Sequence, residues 1–333
     1  MSFKIKPEEL SKITYLQVGD LQGRVIPLFP CYHQDGTWEL WLPANNGLQR
    51  MRPSKMREGQ YFAKAPQGES DVYLAFFDFM CKRAYWEEIV PFIDGIYDDL
   101  QNIATSLAKL DLFYREWKQT HFVAERFVTT ELEYLFSVCR SLYDLLQECI
   151  SKMWSRFKFH DPQLGKRKLS SSFRGMIFQG STQMTKEQMM SRYAIPEPMA
   201  EYYLRQAGFF TWLCEFRDYI SHSGKSFEFV FSTENGFAVS TDTKPFSSMD
   251  IWCEANTQRN KLGSVRSLVA HLIIRTFAAV EEFAHLMAQI IIFPPDIAPE
   301  YRVFICGPHT ANLQNLEAYV TDKPWYNEKP QQA

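Results

Sequence analysis

The sequence lacks the signatures that mark several common enzyme classes. It has no GxxxxGK phosphate loop, no HExxH, no GxSxG and no GxGxxG, which removes the usual NTPase, metalloprotease and hydrolase readings. Its seven cysteines, Cys31, Cys81, Cys139, Cys149, Cys214, Cys253 and Cys306, are odd in number, scattered and free of CxxC spacing. Such a set reads as buried thiols in a reducing compartment, not as a disulfide frame or a zinc site. Long hydrophobic runs are missing too. The most apolar stretch, 268–293, is interrupted by Arg275, Glu281 and Glu282, and the first ten residues, MSFKIKPEEL, are charged where a signal peptide is apolar. The expectation is a cytoplasmic chain with no membrane contact. Charge of either sign is also not in excess: 36 Lys+Arg stand against 39 Asp+Glu for a net −3. No whole-protein field draws the chain to nucleic acid, so any RNA contact must be local.

What is present is a large aromatic and aliphatic content, 46% hydrophobic and 15% aromatic over 333 residues, enough for one large domain or two smaller ones. From 13 to 65 the segments ITYLQV, GRVIPLF and TWELWLP alternate with Asp35-Gly36, Asn46-Gly47 and prolines, which predicts a small β-rich region over 1–70. The period then changes. Val72, Phe76, Phe79 and Met80 predict one helix, and Ile96, Leu100, Ile103, Leu107, Leu110 and Trp117 predict another. Val128, Leu132, Leu135, Cys139, Leu142, Leu146, Cys149, Met153 and Phe157 step by three or four without a break, a helix about 45 Å long that suits a bundle.

Residues 160–195 turn polar and basic, with Lys166, Arg167, Lys168 and Ser170 to Ser172, and read as a loop carrying one short helix. A helix through Met199, Tyr203, Phe210, Leu213 and Ile220 should stop at Gly224, which can take the left-handed conformation. FEFVF and FAVS flank Asn235-Gly236 and predict a β-hairpin near 227–241. A last long helix over 262–293 ends at Pro294-Pro295, leaving 296–333 as an unassigned tail.

FRDYISHSG, residues 216–224, carries the chemistry. Arg217 and His222 at a helix end match the pairing of metal-independent ribonucleases, in which histidine moves protons and arginine holds the phosphate charge. RNA supplies its own nucleophile, the 2′-OH. The spacing alone is unspecific, because Arg115–His121, Arg266–His271 and Arg302–His309 also satisfy it when four to six residues may intervene. On an ideal helix Arg217 and His222 stand about 140° apart, whereas Asp218 and His222 share a face. Plain capping and ion-pair chemistry is the competing account of this segment, and an i,i+4 surface pair is the default for Arg140 and Asp144.

FRDYISHSG resembles the motif of the HEPN superfamily, in which Arg, a polar residue and His close a helix. ELEYLFSVCRSLYDLL (131–146) is similar to the second bundle helix of many bacterial members, with Glu131, Arg140 and Asp144. KLSSSFRGMI, the RYAIPEP turn and the hairpin after the motif are similar to a bacterial HEPN-like group, over about 72–293. The resemblance implies a mainly α, HEPN-like helical bundle over 71–295 with an inserted β-hairpin. It implies a defence- or toxin-type endoribonuclease with a composite site between two protomers, and hence a homodimer with an antitoxin or defence partner protein. In that setting Arg217 steadies phosphate, His222 is the general acid/base, Asp218 orients it, and Arg140, Asp144 and Glu131 support the cleft. No cofactor or metal is implied. Lys166, Arg167 and Lys168 are candidate phosphate contacts. The alternatives are a non-catalytic module that binds a nucleotide, an RNA or a protein, and a purely structural dimerising bundle.

Overall fold

The computed structural model describes residues 29–32, 38–44, 47–51, 59–83, 88–120, 123–222, 230–244, 246–248, 250–253, 257–293 and 300–320, with the backbone alone at 29–51, 217–222 and 259. The chain divides into two compact units, residues 1–58 with 295–299, and residues 59–294 with 300–333. In the first, β1 (Phe29–Tyr32), β2 (Trp38–Ala44) and β3 (Gly47–Met51) form an antiparallel meander, with Trp41 opposite Phe29 on one side and Arg50 on the other.

The second unit is mainly α. Strand β4 (Gln60–Ala63) and β5 (Val72–Tyr73) precede α1 (Ala75–Arg83), α2 (Val90–Thr120) and α3 (Glu125–Met153). The apolar stripe of α2, Ile93, Ile96, Leu100, Ile103, Leu107 and Leu110, packs on α3 at helical spacing. Helix α3 has buried residues on more than one side, because α2 covers one flank and the later helices the other. Phe136, Tyr143 and Ile150 are buried in addition to the Leu132–Met153 stripe. It is therefore the central helix of the bundle.

Residues 160–195 are more ordered than the sequence implies. They hold α4 (Phe173–Ile177), the short pair β6 (Phe178–Gln179) and β7 (Thr182–Gln183), and α5 (Lys186–Tyr193). The start of α4 is capped by Ser172 Oγ, which accepts from Gly175 N, and that of α5 by a reciprocal capping box between Thr185 and Gln188. Phe173, Met176, Met189 and Tyr193 are buried, so a few apolar anchors hold a segment whose other side chains are polar.

Helix α6 (Glu197–His222) follows, then β8 (Val230–Thr233) and β9 (Gly236–Ser240), β10 (Thr257–Gln258), β11 (Leu262–Ser264) and α7 (Val265–Ile290). Strands β8 and β9 are not alone: they belong to a four-stranded antiparallel sheet of order β10-β11-β9-β8. Residues 262–264, expected in the last long helix, are strand β11. The helix begins one residue later because Ser264 Oγ accepts from Ser267 N and caps it. Its end is also set locally: Ile291 is extended, and Ile292 N donates to Lys158 O at 2.7 Å. Finally β12 (Arg302–Ile305) lies between β4 and β5, antiparallel to both, and α8 (Leu316–Val320) packs on α7. Among the described residues no helix is long and apolar enough to cross a membrane.

Candidate functional site

Helix α6 is positioned by its apolar side chains, which are buried almost all round. Tyr202, Tyr203, Phe210, Leu213 and Phe216 sit against α3 and α7, with Arg205, Gly208 and Glu215 left outside. The pairs Phe136–Phe216, Tyr143–Phe210 and Gln147–Tyr203 show α3 and α6 running antiparallel. Phe216, the first residue of the motif, stacks on Phe136 with ring centroids 3.4 Å apart and touches Phe246 at 5.7 Å.

The backbone of α6 continues through position 222. The candidate residues Arg217, Asp218 and His222 thus occupy its last two turns, and Gly224 lies outside the described residues. On a continuous helix positions 217 and 222 are separated by about 140° around the axis, while 218 and 222 are one turn apart.

The supporting residues fall into two places. By the antiparallel pairing, position 222 is level with the start of α3, near Glu131, and Asp144 is displaced by about 20 Å along the axis. Glu131 faces α2: Ser106 Oγ donates to it, and Lys109 Nζ lies 3.2 Å and 3.3 Å from its two oxygens. Arg140 and Asp144 face α4 instead. Their ion pair spans 3.6 Å, and the other Asp144 oxygen accepts from Phe173 N at 3.1 Å. Arg140 Nε is buried without a hydrogen-bond partner. The structure therefore joins Arg140 to Asp144 and separates both from Glu131.

Lys166, Arg167 and Lys168 are exposed on the loop before α4. Lys166 Nζ donates to Ser155 O at 3.2 Å, and Arg167 Nη1 donates to Ser191 O. Of the other arginine–histidine spacings, Arg266 stacks on Tyr319 at 3.8 Å while His271 meets Phe209 edge-on, so that pair is directed to different neighbours. Burial and the Arg275 charge lower the His271 pKa.

One titratable group was not visible in the sequence as a candidate. Asp99, on α2 against α3, has its pKa raised to about 6 by burial. A hydrogen bond from Ser141 opposes the shift and the neighbouring Asp98 charge adds to it, while Asp99 Oδ2 is buried without a partner. Nothing in YDDLQN distinguishes it from Asp98; only the packing of α2 on α3 does. Cys139, Cys149 and Cys214 are buried as expected, whereas Cys81 and Cys306 are half-buried and Cys253 is exposed; burial pushes the thiols of Cys139 and Cys149 up to about 12, which leaves them poor nucleophiles. A small hollow between α1, α3 and α7 is lined by apolar side chains such as Met80, Leu146, Ile150, Phe283 and Met287. Among the described residues no group of three or more His, Cys, Asp or Glu could hold a metal ion.

No family model, no curated protein and no solved structure matches this chain.

Proposed function

We propose that the chain is a metal-independent endoribonuclease of the defence or toxin type, acting in the cytoplasm as a homodimer and held in check by an antitoxin or defence partner. The reading rests on the motif's likeness to HEPN proteins. The observation that supports it is the position of Arg217 and His222 in the last two turns of a core-packed helix. His222 serves as general acid/base toward the 2′-OH and the leaving 5′-oxygen, and Arg217 offsets the charge that develops on the phosphate. The roughly 140° between positions 217 and 222 favours a site completed by a second copy, each chain supplying part of it. The test is cleavage of single-stranded RNA in EDTA, with products ending in 2′,3′-cyclic phosphate and 5′-hydroxyl. His222→Ala should lower the rate by about 10² to 10⁴, the usual contribution of a positioned acid/base. Equal cleavage by wild type and His222→Ala, or none by either across a broad RNA panel, sinks the proposal.

A second reading, an RNA-, nucleotide- or protein-binding module without catalysis, is favoured by the engagement of Glu131 and Asp144. Both carboxylates are committed to hydrogen bonds that hold helices together. Intact RNA binding with a silent His222→Ala change selects it.

A further inference from the structure

Between residues 152 and 195 the chain carries nine lysines and arginines but two carboxylates, Asp161 and Glu187, in a protein whose net charge is −3. Two of these cations are neutralised: Arg156 pairs with Glu88, and Lys186 with Glu197 and Glu201. Lys166, Arg167, Lys168, Arg174 and Arg192 are all exposed, and none has a carboxylate within 4.0 Å.

The fold draws these five together from three segments. Arg167 donates to Ser191 O, next to Arg192. Gly165 lies so close to Ala194 that an added Cβ would stand 3.0 Å from the Ala194 methyl. Tyr193 OH donates to Gly175 O, next to Arg174. These contacts set the 165–168 loop, α4 and the end of α5 side by side, each carrying exposed cations. Three of the cations are laid over rings: Lys166 over Phe159 at 5.6 Å, Arg174 over Phe178 at 4.8 Å and Arg192 over Tyr193 at 5.4 Å. Their stems are held while their charges stay in water, which lowers the ordering cost of a bound anion.

We infer that this surface binds the phosphate backbone of single-stranded RNA. Charge complementarity calls for a polyanion. The residues exposed between the cations are hydroxyl and amide donors, Ser171, Ser172, Thr182 and Gln183, suited to phosphates, sugars and base edges. None of the large exposed apolar side chains falls within 154–195, so the surface offers nothing to insert into a lipid interface. The surface is also distinct from the Arg217/His222 segment. It lies by the start of α6, and the motif by its end, about 35 Å along the axis.

Because binding and cleavage are read separately, the inference stands whether or not the chain cuts RNA. The experiment uses the full chain carrying His222→Ala and a fluorescein-labelled 20-nucleotide single-stranded RNA, with anisotropy titrations over a salt series. Lys168→Glu and Arg174→Glu make no hydrogen bond that the fold needs, and melting curves check that they fold. Each should weaken binding several-fold at low salt. Together they should flatten the slope of log K against log salt by about 1.4, at about 0.7 per lost phosphate contact. Lys64→Glu, just after β4, should leave both unchanged. An unchanged slope in the double variant, no RNA binding by the parent chain, or binding to phosphatidylserine vesicles but not to RNA would overturn the inference.

Discussion

Asp144 Oδ1 accepts the backbone N–H of Phe173 at 3.1 Å, so a side chain midway along α3 holds the first residue of α4 in place. Its partner Arg140 adds an ion pair at 3.6 Å, and Phe173 then enters a cluster with Tyr143, Tyr203 and Phe210. Asp144→Ala should lower unfolding stability by about 2 kcal/mol, the typical worth of a partly buried hydrogen bond to a charged group. Urea denaturation measures it. Asp144→Asn, which keeps an acceptor, should recover about half.

Glu131 gives a parallel case with a different neighbour. Glu131→Ala strips a buried acceptor from Ser106 and Lys109 at once, and should cost about 2 kcal/mol. Ser106→Ala removes one donor and should cost about 1 kcal/mol. If Glu131→Ala reduces RNA cleavage while leaving the denaturation midpoint unmoved, the structural account of this carboxylate is wrong.

Asp99 should give a pH signature. Its folded-state pKa, about 6, lies above the ordinary carboxylate value of 3.8. The carboxyl therefore costs nothing below about pH 4; the cost builds as pH rises from about 4 to 6 and is fully present above 6. Asp99→Asn should stabilise the fold at pH 7.5, on the order of 1 kcal/mol after allowing for partial solvent exposure, and have no stabilising effect at pH 4. Paired thermal melts at the two pH values decide it. An equal effect at both would assign Asp99 no ionisation cost.

The proposed chemistry predicts an ordered set of rates. Arg217→Lys should impair RNA cleavage because an ammonium cannot reproduce the two-pronged guanidinium contact with phosphate. His271→Ala should leave the rate within about two-fold, since His271 packs against Phe209 and its matching arginine stacks on Tyr319. A single gel series in EDTA compares the two. Loss of cleavage in His271→Ala would point to the wrong histidine.

The helices were legible where burial is one-sided. The α2 stripe Ile96, Leu100, Ile103 and Leu107 keeps its period because the opposite face meets water. Helix α6 is harder to delimit because Tyr202, Tyr203, Phe209, Phe210, Trp212 and Leu213 are all buried, which blurs the alternation. Strand β12 was invisible for another reason: four residues, RVFI, become a strand only by pairing with Gln60–Ala63 far up the chain. The basic surface was half legible. Lys166 to Lys168 is a run that any reading notices, but Arg174 and Arg192 join it through Tyr193, Gly175 and Ser191, contacts that no local pattern encodes.

The placement of β12 has a consequence for the order of assembly. As the middle strand of its sheet it supplies every inter-strand partner that β4 and β5 have there, and Val303 N is received by Asp78 on α1 at 2.8 Å. During synthesis, residues 60–73 must therefore wait for about 230 further residues to leave the ribosome, while α2 and α3 can pair as soon as both have emerged. Closing so long a loop costs only slightly more free energy than closing a moderate one, yet it delays the contact. The nascent chain thus carries two unpaired strands with Phe62 and Tyr73 among them, which makes this stage the one most open to chaperone capture or mispairing between neighbouring chains.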